Sequence, residues 1–154
     1  MALGDNTLRS AAGNSQRGRN PYMVQTTLNW ATALSDKGSA LAAADVIPVI
    51  AVPKGTMVLN AGIEVDTATD GSTFTVDLGM VDADVFVDGF DATSAAAVVA
   101  QNPAAYQPVM AVADDNIDVT IASLSGGAVT SGKFRVWAVL MDCTDMGDTS
   151  ANEV

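Results

Sequence analysis

The feature that most limits the fold of this chain is a two-residue alternation of apolar and polar side chains in many short segments. Apolar residues keep this period at residues 24–30, 57–65, 74–78, 117–121 and 134–140, and stretches rich in glycine, proline and aspartate separate the segments. Because successive side chains of a strand point to opposite faces, this period predicts strands that bury one face. About seven or eight such strands predict an all-β fold, an antiparallel β-sandwich or jelly roll.

The same pattern predicts details of single elements. Residues 46–52 hold Pro48, which cannot donate a hydrogen bond in a sheet, so we expect an edge strand there. Asp70-Gly71 is typical of a hairpin turn, and residues 91–100 contain the one helix that we expect, capped by Asp91 or Thr93. A single face of one strand is expected to carry five apolar residues, namely Met57, Leu59, Ala61, Ile63 and Val65.

The final predicted strand, residues 133–142, is apolar on both faces. One face carries Phe134, Val136, Ala138 and Leu140, and the other carries Trp137, Val139 and Met141. A strand that is apolar on both sides needs cover on both sides. We therefore expect the face with Trp137 to be buried by a second layer or by a subunit interface.

The first 21 residues differ from the rest in composition. They are rich in glycine, serine and asparagine, and their apolar residues show no period. We predict an extended N-terminal arm at residues 1–21 and a β-sandwich body at residues 22–154. The arm is expected either to form a free tail or to lie on a neighbouring chain, because its own side chains cannot build a core.

Charge also divides the chain. The net charge is −11, yet residues 1–20 carry three arginines and one aspartate, which leaves +2 there and −13 in the remainder. An acidic body repels phosphates and anionic membranes, so we expect no nucleic acid and no membrane as partners. No apolar run reaches the length of about 20 residues that a membrane span needs.

Protein surfaces are the expected partners instead. Charged residues make up only 16% of the chain, below the roughly 25% of an ordinary soluble domain, which indicates subunit or partner contacts. The arginines of the arm suit an acidic or carbonyl-rich protein surface. The predicted partner-binding residues are Arg9, Arg17, Arg19, Tyr22 and Trp137.

Catalytic chemistry is poorly represented. The absence of histidine removes the commonest general base and the commonest metal ligand. Cys143 has no histidine to activate it, and we expect it to be inert. The sequence contains no phosphate-binding loop, dinucleotide fingerprint or zinc spacing. We therefore expect no enzyme activity and no cofactor.

Acidic residues are the one abundant reactive group. They cluster in two places, at Asp82, Asp84, Asp88 and Asp91 and at Asp114, Asp115 and Asp118. Calcium prefers several such oxygen ligands, but Val87 stands where a calcium loop needs its glycine. We expect solvated acidic loops without a tightly bound metal, with calcium at residues 82–91 as the alternative. A glycosidase-type carboxylate pair stays open, although aromatic residues make up only 5%.

Three stretches carry a resemblance to a known family. They are Met1-Ala2-Leu3-Gly4-Asp5-Asn6, residues 52–65 with the sequence VPKGTMVLNAGIEV, and residues 132–142 with the sequence GKFRVWAVLMD. These stretches resemble small structural proteins of tailed bacteriophages, the capsid decoration or cement proteins encoded near the major capsid protein. The resemblance implies a sandwich or jelly-roll body and homotrimers at threefold or quasi-threefold positions of the outer capsid. It also implies an arm that clamps neighbouring capsomers.

The sequence therefore predicts a virion structural protein, a decoration protein that binds the major capsid protein between capsomers and stabilises the phage head. We expect it on the outer capsid surface after assembly in the cytoplasm of the bacterial host, since the first residues lack the features of a signal peptide. One alternative is another virion component, such as a head fibre base or a neck or tail protein. A carbohydrate-binding or adhesin module is the other.

Overall fold

A computed structural model describes residues 20–93, 99–100 and 108–143. These residues form one short helix and nine strands. In chain order the elements are β1 (Tyr22–Asn29), α1 (Trp30–Lys37), β2 (Val46–Val52), β3 (Thr56–Thr67), β4 (Thr73–Gly79), β5 (Val87–Asp91), β6 (Val99–Ala100), β7 (Val109–Met110), β8 (Asp115–Ser125) and β9 (Lys133–Asp142).

The strands form two antiparallel sheets. Sheet A has the order β1-β9-β3-β6, with β7 also paired to β3, and sheet B has the order β2-β8-β4-β5. The predicted all-β antiparallel sandwich is confirmed. Most pairs are nested along the chain, with β1 against β9, β2 against β8 and β4 against β5. Nested pairs of this kind arise when one long hairpin is rolled into two sheets, as in a jelly roll. The pairing supports the jelly roll, which stays a prediction.

The core lies between the sheets, where the alternating apolar residues meet. Its strand-borne part includes Phe74, Val76 and Leu78 of β4, Ile117, Val119 and Ile121 of β8, and Phe134, Val136, Ala138 and Leu140 of β9. Trp30 is fully buried and contacts Phe74 and Phe134 edge-on, with ring centroids 4.8 and 5.2 Å apart. The indole therefore joins β4 of one sheet to β9 of the other.

A bulge in β3 changes which side chains face the core. Val58 is paired with Leu140 and Asn60 with Val139, which leaves Leu59 as an extra residue. Val58 is fully buried, whereas Met57 and Leu59 are only half-buried. The prediction that Met57 and Leu59 share a face with Ala61, Ile63 and Val65 is therefore wrong, because a bulge reverses the alternation at one point.

The turn at Asp70-Gly71 does not close a hairpin. It connects β3 with β4, which belong to different sheets. The Asp70 carboxylate instead accepts hydrogen bonds from the backbone N–H of Thr130, at 2.9 Å, and of Ser131, at 3.1 Å. Turn-forming residues specify a local reversal of the chain and not the strand that pairs next, so the hairpin prediction was wrong.

The helix also differs from expectation. α1 begins after Asn29, whose side chain accepts a hydrogen bond from the backbone N–H of Ala31, and it ends at Gly38, which adopts a φ of +68°. Asparagine and glycine are favoured at these two caps. The prediction of a helix over residues 91–100 is wrong at both ends, because Asp91 belongs to β5 and residues 99–100 form β6. Residues 94–98 lie outside the described part.

The edge-strand prediction for residues 46–52 is confirmed. Among the described strands, β2 forms one edge of sheet B and pairs with β8 alone. Its register shifts between Pro48 and Ile50. Because proline has no N–H to donate, an edge strand with an irregularity is where it fits.

Candidate interaction surface

The outer face of sheet A, which points away from the core, carries an unusual number of methionines. Met57 of β3 lies directly opposite both Met141 of β9 and Met110 of β7, and Met23 of β1 lies opposite Val139. Directly opposed residues of antiparallel strands point to the same face. We call the following six residues the apolar outer face: Met23, Met57, Met110, Trp137, Val139 and Met141.

These side chains are incompletely covered in one chain. Met23 is 61% exposed and Met110 is 40% exposed, whereas Trp137 and Met141 are half-buried. Trp137 lies opposite Gly62 of β3, and an aromatic side chain beside a glycine covers bare backbone. Methionine is flexible and polarisable, and it is over-used on protein-binding surfaces. The composition of this face is therefore suited to contact with another protein.

The far end of the same face is charged. Glu64 of β3 and Arg135 of β9 are directly opposed and form an ion pair of 2.9 Å. Thr27 of β1 completes this row. Both charged side chains are partly exposed, and such a pair contributes only about 0–1 kcal/mol. The pair therefore bounds the apolar surface and adds little to stability.

The outer face of sheet B is different in character. It presents mostly polar residues, among them Thr75, Asp77, Asp91, Asp118 and Thr120. Burial raises the pKa of Asp118, and the negative charge of Asp115 adds to this effect. A face lined with carboxylates is suited to solvent, so the two outer faces of the sandwich are not equivalent.

One end of the sandwich combines exposed valines with acidic residues. Val81, in the β4–β5 connection, is 94% exposed, and Val112, between β7 and β8, is 80% exposed. A cavity of about 330 Å³ lies between these two segments, and Asp82 and Asp114 are among its lining residues. A hydrogen bond with Asp84, and the negative charge of that residue, raise the pKa of Asp82.

Of the predicted partner-binding residues, the structure describes Tyr22 and Trp137, and these two lie on opposite faces of sheet A. Trp137 lies on the apolar outer face, whereas Tyr22, 46% exposed at the start of β1, is paired with Leu140 and so belongs to the row that turns toward the core. Arg9, Arg17 and Arg19 lie outside the described residues. Sequence reasoning missed Met23, Met57 and Met110, because their alignment depends on strand pairing.

Other chemistry finds little support among the described residues. No group of three or more cysteine, aspartate or glutamate residues there is arranged to hold a metal ion. Cys143 is half-buried, and its backbone N–H donates a hydrogen bond to the carbonyl oxygen of Gly55. No helix in residues 20–93, 99–100 or 108–143 has the length and hydropathy needed to cross a membrane.

Comparison with known proteins gives structural likeness without sequence likeness. No protein-family model and no curated protein sequence matches the chain. A chain of the cyanophage Pam1 capsid asymmetric unit aligns with 91% of this chain and 97% of its own length, at 17% identity and a TM-score of 0.63. A chain in the capsid of Ralstonia phage GP4 aligns with 89% of this chain and 93% of its own length, at 17% identity and a TM-score of 0.58. The sandwich described above is therefore a fold that also occurs in the capsid structures of two phages.

Proposed function

We propose that this chain is a structural protein of a phage virion, and that it decorates the outer capsid by binding between capsomers. The observation that carries the proposal is the shared fold, which spans nearly the whole length of the phage capsid chains. The resemblance of residues 52–65 and 132–142 to decoration proteins supports the same role. Catalysis has no part in it, since stabilising a shell requires adhesion only.

The apolar outer face is the surface that we assign to the capsid contact, with the major capsid protein as partner. It is the more apolar of the two outer faces, and it includes Met23 and Met110, which are exposed in the single chain. Burying a large apolar side chain contributes roughly 1.5–3 kcal/mol. A few such side chains make a modest contact for each copy.

A homotrimer would multiply that contact. Rotation about an axis perpendicular to sheet A turns the apolar outer faces of three copies in the same direction. Three linked copies then bind a shell together, and linked contacts bind far more tightly than each does alone. Threefold or quasi-threefold positions of a capsid lattice match this symmetry.

Electron microscopy of particles tests the proposed function. The chain would be co-expressed with the major capsid protein of its phage, and the particles would be reconstructed with and without it. We expect density on the outer surface at threefold or quasi-threefold positions, with sheet A toward the shell. A single ring at one vertex would favour a neck, tail or fibre component instead. Failure to bind particles, together with binding to immobilised glycans, would favour a carbohydrate-binding module.

A further inference from the structure

The cavity at the loop end of the sandwich is lined by apolar and acidic residues; we call it the acidic groove and its carboxylates the rim. Val81 and Val112 line it and are the two most exposed large apolar side chains of the described residues. Asp82, Asp114 and Asp115 line it as well. An exposed valine pair between carboxylates is suited to a ligand with both apolar and basic side chains.

Charge is concentrated at this rim. The hydrogen bond with Asp84 and the negative charge of that residue raise the pKa of Asp82. The Asp114 carboxylate also accepts a hydrogen bond of 2.9 Å from the backbone N–H of Lys54. The described lining residues include three carboxylates and no lysine or arginine, so the groove is negative and suits a basic segment.

Residues 1–19 are a segment of the right chemistry. They carry Arg9, Arg17 and Arg19 against Asp5, a formal charge of +2, in a chain that is otherwise strongly acidic. The segment also carries apolar side chains, among them Leu3 before Asp5 and Leu8 between Asp5 and Arg9. Fully extended, 19 residues reach roughly 60 Å, so the segment is long enough to lie on a neighbouring copy.

The root of this segment lies at the same end of sheet A as the groove. β1 begins at Tyr22, which pairs with Leu140 near the end of β9. Met57 of β3 pairs with both Met141 of β9 and Met110 of β7. The groove is lined by Met110 and the residues that follow it. The root and the groove are therefore at the same end of sheet A but at its opposite edges. Three strand spacings, or about 14 Å, separate these edges.

From these observations we propose that residues 1–19 of one copy occupy the acidic groove of the next copy, with the arginines at its rim and the leucines against Val81 and Val112. The inference rests on the proposed homotrimer. Copies related by rotation about an axis perpendicular to sheet A bring the β1 edge of each beside the β7 edge of the next. Such head-to-tail contacts close into a ring in which every groove is filled.

Disulfide trapping in the full-length chain tests whether residues 1–19 of one copy lie in the groove of another, an arrangement that we call the exchange. All variants carry Cys143→Ser, which removes the native thiol. A tagged Arg17→Cys chain is co-expressed with a differently tagged Val112→Cys chain, and the mixture is oxidised mildly. We expect a two-chain product that carries both tags. Val81→Cys, on the opposite wall of the groove, provides a second trap if Val112→Cys fails to fold.

Val46→Cys is the matched control, because Val46 is also an exposed valine, at 55%, but lies in β2 and does not line the groove. It should give no two-chain product. Equal trapping at Val46 and Val112 would overturn the proposal. So would trapping confined to a single chain when Arg17→Cys and Val112→Cys are combined in one polypeptide.

Light scattering of the same samples separates this inference from the proposed function. A mass of three chains without trapping at Val81 or Val112 would overturn the groove assignment and leave the trimeric decoration protein in place. A mass of one chain would overturn both the trimer and the exchange. Val112→Arg should shift the mass from three chains toward one, while Val46→Arg should leave it unchanged.

Discussion

Asp70 shows how one exposed carboxylate connects distant parts of the chain. Its bonds to Thr130 and Ser131 hold the β8–β9 connection against the β3–β4 turn. A hydrogen bond from the Thr130 side chain, followed by those from the backbone, lowers the pKa of Asp70 from 3.8 to about 2. A lowered pKa means that the contribution to stability is present above pH 3.8 and is lost as the pH falls toward about 2.

We predict that Asp70→Asn lowers the free energy of unfolding at pH 7 by about 1 kcal/mol, because solvent exposure weakens such hydrogen bonds. Urea denaturation of both proteins at a series of pH values measures this difference, which should shrink below pH 4. Asp66→Asn, at an exposed position four residues earlier, serves as the control. A difference that stays constant down to pH 2 would contradict the assigned role of the carboxylate.

Trp30 is the largest of the fully buried side chains, and it contacts both sheets through Phe74 and Phe134. Truncating a buried aromatic residue removes apolar contacts and leaves a cavity, so Trp30→Ala should lower the free energy of unfolding by about 3–5 kcal/mol. Chemical denaturation followed by circular dichroism provides the measurement. Trp137→Ala, which truncates the half-buried tryptophan, should lower the free energy of unfolding by clearly less. Equal decreases for the two variants would mean that the core is assigned wrongly.

At the scale of single elements, β9 is apolar on both of its faces, which lie in different surroundings. The inner face packs into the core, while the outer face presents Trp137, Val139 and Met141 beside Met23 of β1. Strand β9 is central in sheet A, between β1 and β3. Substitutions on its outer face should therefore affect contacts with partners more than folding.

Trp137→Asp tests this division. We predict that the variant folds cooperatively but loses attachment to particles, since a carboxylate would have to be buried in an apolar contact. Particle occupancy measured by sedimentation and densitometry gives the readout, and circular dichroism confirms folding. Ser123→Asp places the same charge at an exposed position of β8 in sheet B and should leave occupancy unchanged. Full occupancy with Trp137→Asp would exclude the apolar outer face from the contact.

At the scale of the whole molecule, we expect the predicted arm and the predicted body to have separable roles. The core of the described residues includes Leu28 of β1, and Val24 of the same strand packs against it. We predict that deletion of residues 1–20 leaves a soluble, cooperatively folding protein that does not remain on particles. Thermal denaturation and particle occupancy measure the two effects. Loss of cooperative folding on deletion would show that the arm belongs to the folding unit.

Charge on the arm should make attachment dependent on salt. Exposed ion pairs contribute only about 0–1 kcal/mol each. We therefore predict that the double variant Arg17→Ala, Arg19→Ala occupies particles moderately less at low salt, and that its occupancy depends less on salt than that of the unaltered protein. Occupancy across a sodium chloride series is the measurement. Arg135→Ala, which removes the ion pair with Glu64 on the body, provides the control for loss of a positive charge. Unchanged occupancy at every salt concentration would mean that shape and backbone contacts hold the arm.

Much of the body could be predicted from the sequence because alternation is a local property. Phe74, Val76 and Leu78 point inward simply because they occupy every second position of a strand. The edge position of β2 was also predictable, because Pro48 lacks a backbone donor. The same reasoning identified β9 as a strand with two apolar faces and placed Trp137 on the face opposite Phe134, but it did not decide whether a second layer or a subunit covers that face.

Tertiary structure decided what depends on pairing between distant segments. The bulge at Leu59 turns Met57 outward, Asp70-Gly71 crosses between sheets, and Met57 becomes aligned with Met110 and Met141 only when β3 pairs with β7 and β9. Alternation specifies which side chains share a face within a strand, but it does not specify the neighbouring strand or its register. The candidate surface is assembled across four strands, so it exists only once long-range hydrogen bonding has set that register.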